Sequence, residues 1–143
     1  AEPTDVNFGG KVHGGVVMKW IDQAGYACAA GWSGHYCVTV SVAGVKFQRP
    51  ILVGQIVEVK ASIAHTGKTS MQIFIQVRCG DPKTQNLVET NHCIISFIAM
   101  DKAGYPIEVP SYTAVTDEEK KVENYAIKMK EIAIETETLL QKA

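Results

Sequence analysis

The residue types best suited to chemistry fall in the first thirty positions: Asn7, His13, the pair Gly14-Gly15, and Asp22. Met18, Asp22, Gly25 and Ala29 share one face at helical spacing, with Ile21 beside them, so Asp22 is a carboxylate among apolar neighbours. Burial disfavours its charged form and suits a general base, while a nearby donor would keep it ionised. The alternative is a face open to water, with Asp22 solvated or capping. Gly14-Gly15 stand at the helix start, where first-turn N–H groups lack intrahelical partners and can point at a developing oxyanion, and glycine permits close approach. Read alone, the pair is also a flexible helix entry. Asn7 offers an amide that can donate to a carbonyl or hold a water, or it serves a turn. His13 is a candidate base, although the helix dipole disfavours a protonated imidazole there.

Other chemistries lack their residues. His13, His35, His65 and His92 lie on different elements without a shared short spacing, so no metal site is expected. No Gly-x-Ser-x-Gly elbow is present, and Gly9, Gly10, Gly14 and Gly15 do not form the dinucleotide fingerprint. Cys28, Cys37, Cys79 and Cys93 are scattered through apolar segments without a C-x-x-C pair, which reads as reduced core thiols.

Several elements must position these groups. A glycine-rich stretch, Asn7 to Gly15, feeds a helix over Val16–Ala30, whose second half is slim at Gly25, Ala27, Ala29 and Ala30. Glycine inside a helix costs about 1 kcal/mol relative to alanine, so Gly25 predicts a close backbone approach. From Tyr36 the period changes to two: Val38, Val40 and Val42 alternate with Thr39 and Ser41 in a first strand ending near Arg49-Pro50. A second strand starts near Val53 and runs to Ile63, a third covers Ser70–Arg78, and Thr66-Gly67-Lys68 turns between them. The fourth, Val88–Met100, is dense enough in apolar residues to be covered on both faces or central in a sheet. After Pro110, Thr116 with Glu119 three residues later makes a capping box. Val122, Tyr125, Met129, Ile132, Thr136 and Leu139 then recur with heptad spacing, which predicts an amphipathic helix on its own domain or on a neighbouring subunit. The order predicts an α+β domain with the sheet wrapping the slim helix.

The chain has 143 residues, 46% hydrophobic and 20% charged, with 14 Lys+Arg against 15 Asp+Glu. That length suits one domain with its own core, and the composition excludes both a disordered chain and a strongly basic nucleic-acid binder. Apolar runs are far short of the roughly 20 residues of a membrane-spanning helix, and no basic-then-apolar leader is seen at the start. The chain reads as soluble and cytoplasmic.

Taken together, Pro3-Thr4-Asp5 with Asn7, Gly10-Lys11-Val12-His13-Gly14-Gly15 and Met18-Lys19-Trp20-Ile21-Asp22 resemble the start of a hotdog-fold acyl-CoA thioesterase of the cytoplasmic acyl-CoA hydrolase type. Phe47-Gln48-Arg49-Pro50 with Val53-Gly54, Thr66-Gly67-Lys68-Thr69-Ser70-Met71, and Asp117-Glu118-Glu119-Lys120-Lys121 extend the resemblance to about Lys130. It implies a hotdog domain over 1–110, an antiparallel sheet wrapped around a central helix, followed by a linker and amphipathic helix over 111–143. It also implies hydrolysis of fatty acyl-CoA to fatty acid and CoA, in a two-hotdog unit with active sites between protomers. Asp22 would be general base or nucleophile, Asn7 would come from the facing protomer, and the Gly15 N–H would polarise the thioester carbonyl. Lys11, His13, Gly14, Arg49, Lys68, Thr69 and Ser70 are the expected substrate contacts. No cofactor is expected, since CoA belongs to substrate and product. The partners implied are acyl-CoA and further copies of the chain, as a dimer and a hexameric trimer of dimers, with no nucleic acid and no membrane. Family members carry a strand before the Pro-Thr-Asp segment, and the expectation is that this sequence begins after it. Two other readings stand beside the hydrolase: a non-catalytic acyl-CoA-binding module, and a hotdog hydratase or dehydratase using His13 with Asp22.

Overall fold

Gly34, at φ 75°, ends helix α1 (Gly14–Ser33) by donating its N–H to Ala30 O at 2.8 Å, and the chain turns at once into strand β1 (Tyr36–Phe47). The structure, a computed structural model, describes residues 14–47, 49–84 and 86–142. Strands β2 (Ile56–Thr66), β3 (Ser70–Gly80) and β4 (Val88–Met100) follow, then helix α2 (Asp117–Lys142). The four strands form one antiparallel sheet in the order β1-β4-β3-β2. Residues 49–55, with Gly54 at φ 89°, therefore carry the chain from one edge of the sheet to the other. For the same reason β2 starts at Ile56, three residues later than the Val53 alternation suggests. Gly67 N–H bonds Ser70 O at 2.9 Å and closes the β2–β3 hairpin.

The register aligns Thr39, Phe97, Met71 and Thr66 in one row across the sheet. On the inner face Ile73, Ile75, Val77, Cys93, Ile95 and Phe97 are buried against Ile21 and Ala29 of α1. A Cβ at Gly25 would stand 3.0 Å from Ile75 Cδ1 and 3.2 Å from Phe97 Cε2, which is the close approach the sequence implied. Helix α1 touches all four strands, so the sheet wraps it. The helix is longer than the Val16–Ala30 expected, reaching Gly14 at one end and Ser33 at the other.

On the outer face Ala64, Phe74 and Ile94 lie under Val122, Tyr125, Ala126 and Met129 of α2. Strands β3 and β4 are thus both central and covered on two faces, which explains the apolar density of Val88–Met100. The capping box forms as expected: Thr116 N–H donates to Glu119 Oε1 at 3.1 Å, and Glu119 N–H to Thr116 Oγ1 at 3.0 Å. Beyond Met129 the apolar spacing continues, but Ile132, Leu139 and Leu140 are exposed. Cys37, Cys79 and Cys93 are buried, Cys28 is half-buried, and all four are free thiols. Among the described residues no helix is long and apolar enough to cross a membrane.

Candidate active site

Asp22 follows the fully buried Ile21, and one residue of helical rotation swings it from the core face to the margin of α1 beside β1. There Thr39 Oγ1 donates to Asp22 Oδ1 at 3.4 Å. Thr39 reaches it because Cys37, two residues earlier on β1, points into the core, and side chains of a strand share a face at every second position. The expectation that Asp22 sits among apolar neighbours is corrected: Ile21, Gly25 and Ala29 form the buried face, and Asp22 is exposed. Its carboxylate is therefore held by a hydroxyl at the rim of the helix and open to whatever faces β1.

That neighbourhood is unusual for an edge. Among the described residues strand β1 pairs with β4 on one side only, and Val38, Val40 and Val42 are 38%, 56% and 42% exposed. An unpaired strand edge carrying apolar side chains is a template for another chain. Thr39 is the site residue that sequence reasoning did not single out. The available signal was its parity with Cys37, which puts a hydroxyl on the helix-facing side of the strand.

Gly14 and Gly15 open α1, where the first-turn N–H groups have no intrahelical partner, and among the described residues a Cβ on Gly15 would meet nothing within 4 Å. Seven residues of helix separate Gly15 from Asp22, about 10 Å along the axis. Asn7, Lys11 and His13 lie outside the described residues.

Lys68, Thr69 and Ser70 sit on the β2–β3 turn, tied down through their backbone: Lys68 O accepts from Val109 N at 2.9 Å and Thr69 O from Ala99 N at 3.1 Å. Ser70 is in register with Ile98, which pairs with Val38, so the turn lies at the Thr39 end of the sheet, two strands and about 10 Å away. Arg49 lies beyond the opposite end of β1, its N–H on Thr90 O at 3.3 Å, seven residues along β4 from Phe97, the partner of Thr39, or about 23 Å by strand rise. Within one copy the structure does not bring Arg49 to the other expected substrate contacts.

A groove of about 620 Å³ runs between α1 and β2, lined by Trp20, Ala24, Ile56 and Val57, on the flank of α1 away from Asp22. On the outer face a cavity of about 470 Å³ lies between Lys60, Ser62, Gln76, Tyr112 and Glu118. At its rim burial raises the Tyr112 phenol above its usual range, and its hydrogen bond to Glu119 adds to this. The Thr116 hydroxyl and N–H lower Glu119, with help from Tyr112. Burial pushes the Cys93 thiol up to about 11. Among the described residues no three His, Cys, Asp or Glu side chains converge as a metal site would need.

The thioesterase superfamily model matches residues 9–85. Protein VdlD of Helicobacter pylori is 35% identical over 130 residues, which cover 91% of this chain and 74% of that protein. Among solved structures, an apo-hexameric acyl-CoA thioesterase superposes with a TM-score of 0.91 at 29% identity, covering 97% of this chain and 89% of that one. The acyl-CoA hydrolase from Staphylococcus aureus, solved with butyryl coenzyme A, coenzyme A and coenzyme A disulfide, gives 0.89 at 27% identity, covering 99% and 89%. That enzyme has also been solved as three alanine variants, one each at an asparagine, an aspartate and a threonine. Fifteen and then seventeen positions separate those three residues, the same intervals that divide Asn7 from Asp22 and Asp22 from Thr39. From the match over residues 9–85 and the similarity to VdlD, the chain belongs to the thioesterase superfamily.

Proposed function

We propose that the chain is an acyl-CoA thioester hydrolase, with Asp22 as its general base or nucleophile. The observation that carries this reading is the Thr39–Asp22 hydrogen bond at the open edge of the sheet, in the spacing shared with the Staphylococcus aureus hydrolase. Thioester hydrolysis requires an attacking oxygen, a donor for the carbonyl oxyanion and departure of a thiolate, which leaves with little help from an acid. Asp22 either removes a proton from the attacking water or attacks the carbonyl itself, forming an anhydride that water then opens. Thr39 orients the carboxylate, and the Gly15 N–H at the helix start polarises the carbonyl.

One copy supplies half of such a site. The second copy packs on the β1 edge, covers Val38, Val40 and Val42, and brings its own Asn7 to Asp22. Two neighbours are described as hexameric thioesterases, which supports a higher assembly, here read as a trimer of dimers. A cytoplasmic location fits the 30% identity to the cytosolic acyl coenzyme A thioester hydrolase of Rattus norvegicus, of which the chain spans 32%.

Thiol release from acyl-CoAs of short to long chain, by wild type and Asp22→Ala, tests the reading. The expected result is release by wild type and a loss of about 100-fold or more in the variant. Equal release by both removes Asp22 from the chemistry. Binding without release by wild type replaces the hydrolase with an acyl-CoA-binding module.

A further inference from the structure

Helix α1 and strand β1 are joined through Gly34 and His35 alone, so the cleft between them has a closed corner. The rings of Tyr26 and Tyr36 meet across it, with centroids 6.1 Å apart at an interplanar angle of 61°. This edge-to-face pair ties the helix to the first residue of the strand. Tyr26 follows Asp22 by four residues, which puts it on the same side of the helix about 6 Å further along. Helix side chains lean toward the N-terminus, so its ring comes back over the turn that holds Asp22. On the strand, Tyr36 precedes Thr39 by three residues. The Asp22–Thr39 pair therefore has an aromatic wall on its corner side, and the buried residues there, Ala29 and Cys37, are apolar. Tyr26 is 37% and Tyr36 65% exposed, and neither belongs to the core that α1 shares with the sheet, so core packing does not account for two large rings at this place.

We propose that Tyr26 and Tyr36 form the end wall of the acyl slot and limit the length of acyl chain that the enzyme accepts. This rests on the hydrolase reading for its ligand and adds to it the residues that select among substrates. A thioester held beside Asp22 sends two arms in different directions. The CoA arm is long, charged and hydrated and needs an outlet to solvent, whereas the hydrocarbon arm suits an apolar dead end. The corner is such a dead end, because the chain itself closes it at Gly34. About 6 Å between Asp22 and the wall leaves room for a few methylene groups, and a longer chain has to displace a ring. Because β1 and α1 each contribute one tyrosine, the wall is set by the same two elements that bring Thr39 to Asp22.

The test is kcat/KM for thiol release from acetyl-, butyryl-, octanoyl- and palmitoyl-CoA by the intact protein, as wild type, Tyr26→Ala, Tyr36→Ala and Tyr36→Phe. The expected result is a wild type that prefers the short chains, and an octanoyl-to-butyryl ratio raised at least about tenfold in each alanine variant. Tyr36→Phe keeps the ring and should keep the wild-type ratio. Tyr36 is largely exposed, so its truncation leaves the core intact. A ratio unchanged in both alanine variants, a loss equal for all four acyl-CoAs, or a wild type that prefers palmitoyl-CoA overturns the proposal. Weaker binding of free CoA to the alanine variants, with the ratio unchanged, would place the rings against the CoA arm and overturns it as well. If wild type releases no thiol, calorimetric affinities for the same acyl-CoAs read the wall instead. The same shift toward longer chains in the alanine variants would then overturn the hydrolase reading and leave the wall standing, and its absence would overturn both.

Discussion

Strands β1 and β4 are neighbours of similar apolar content, yet they live in opposite environments. Cys93, Ile95, Phe97 and Ala99 of β4 are fully buried, while Val38, Val40 and Val42 of β1 stand partly in water. Composition is not what separates them: both strands meet α1 and α2, but among the described residues β4 has a strand on each side and β1 has one. Among the described residues the centre of the sheet is paired on both sides and the β1 edge is not. The polar pair Asp22–Thr39 lies at the β1 edge.

The contrast can be probed from both sides. Phe97→Ala should destabilise the fold by about 4 kcal/mol, because a central aromatic leaves a cavity that close packing cannot refill. Urea unfolding at fixed protein concentration measures it, and a loss below about 1 kcal/mol would mean that the centre is less tightly packed than described. Val40→Lys on the exposed edge should leave each protomer folded by circular dichroism but dissociate the assembly and reduce turnover at least about tenfold, since it puts a charge in an apolar contact. Size-exclusion chromatography showing an unchanged oligomer would place the interface elsewhere. Thr39→Val, which keeps shape and removes the hydroxyl, should lower kcat roughly tenfold with KM little changed. A pure KM effect would instead make Thr39 a binding residue. Thr116→Ala should cost about 1 kcal/mol by uncapping α2.

The weakest expected effect depends on pH. Glu119 has its folded pKa below the ordinary 4.5, so its stabilising contribution is complete above 4.5 and disappears as pH falls through the lowered value. Acid titration of α2, followed by helical circular dichroism, should show this component in wild type and not in Glu119→Gln. An identical acid response in both proteins would assign the transition to other groups.

What could be read from the sequence was local or strictly periodic. The Thr116–Glu119 box involves residues three apart, and the bounds of β4 follow from its density of apolar residues. Gly25 was legible because an interior helix glycine needs a steric reason, which Ile75 and Phe97 supply. The setting of Asp22 was not, since Ile21 and Asp22 differ by one step of rotation and periodicity cannot draw the margin of a buried face that finely. Thr39 shares its parity with Cys37, but alternation alone does not say that β1 pairs with β4 at the margin of the sheet, beside Asp22. The motifs of the resemblance lead one to expect Arg49 beside the turn at Lys68, but β1 runs away from that turn and Arg49 follows its far end, with its N–H on Thr90 O. The heptad spacing after Met129 is visible, but among the described residues Leu139 and Leu140 stay exposed.

The central claim is that the β1 edge carries half of a site that a second copy completes. Asp22→Ala and Asn7→Ala proteins, each inactive alone, can be mixed after dissociation and reassociated. A two-fold unit with Asp22 and Asn7 contributed by opposite protomers gives each hybrid one intact site, so thiol release should recover to about a quarter of wild type. No recovery, in mixtures shown to contain hybrids, would contradict the account and place both residues in a site within one protomer.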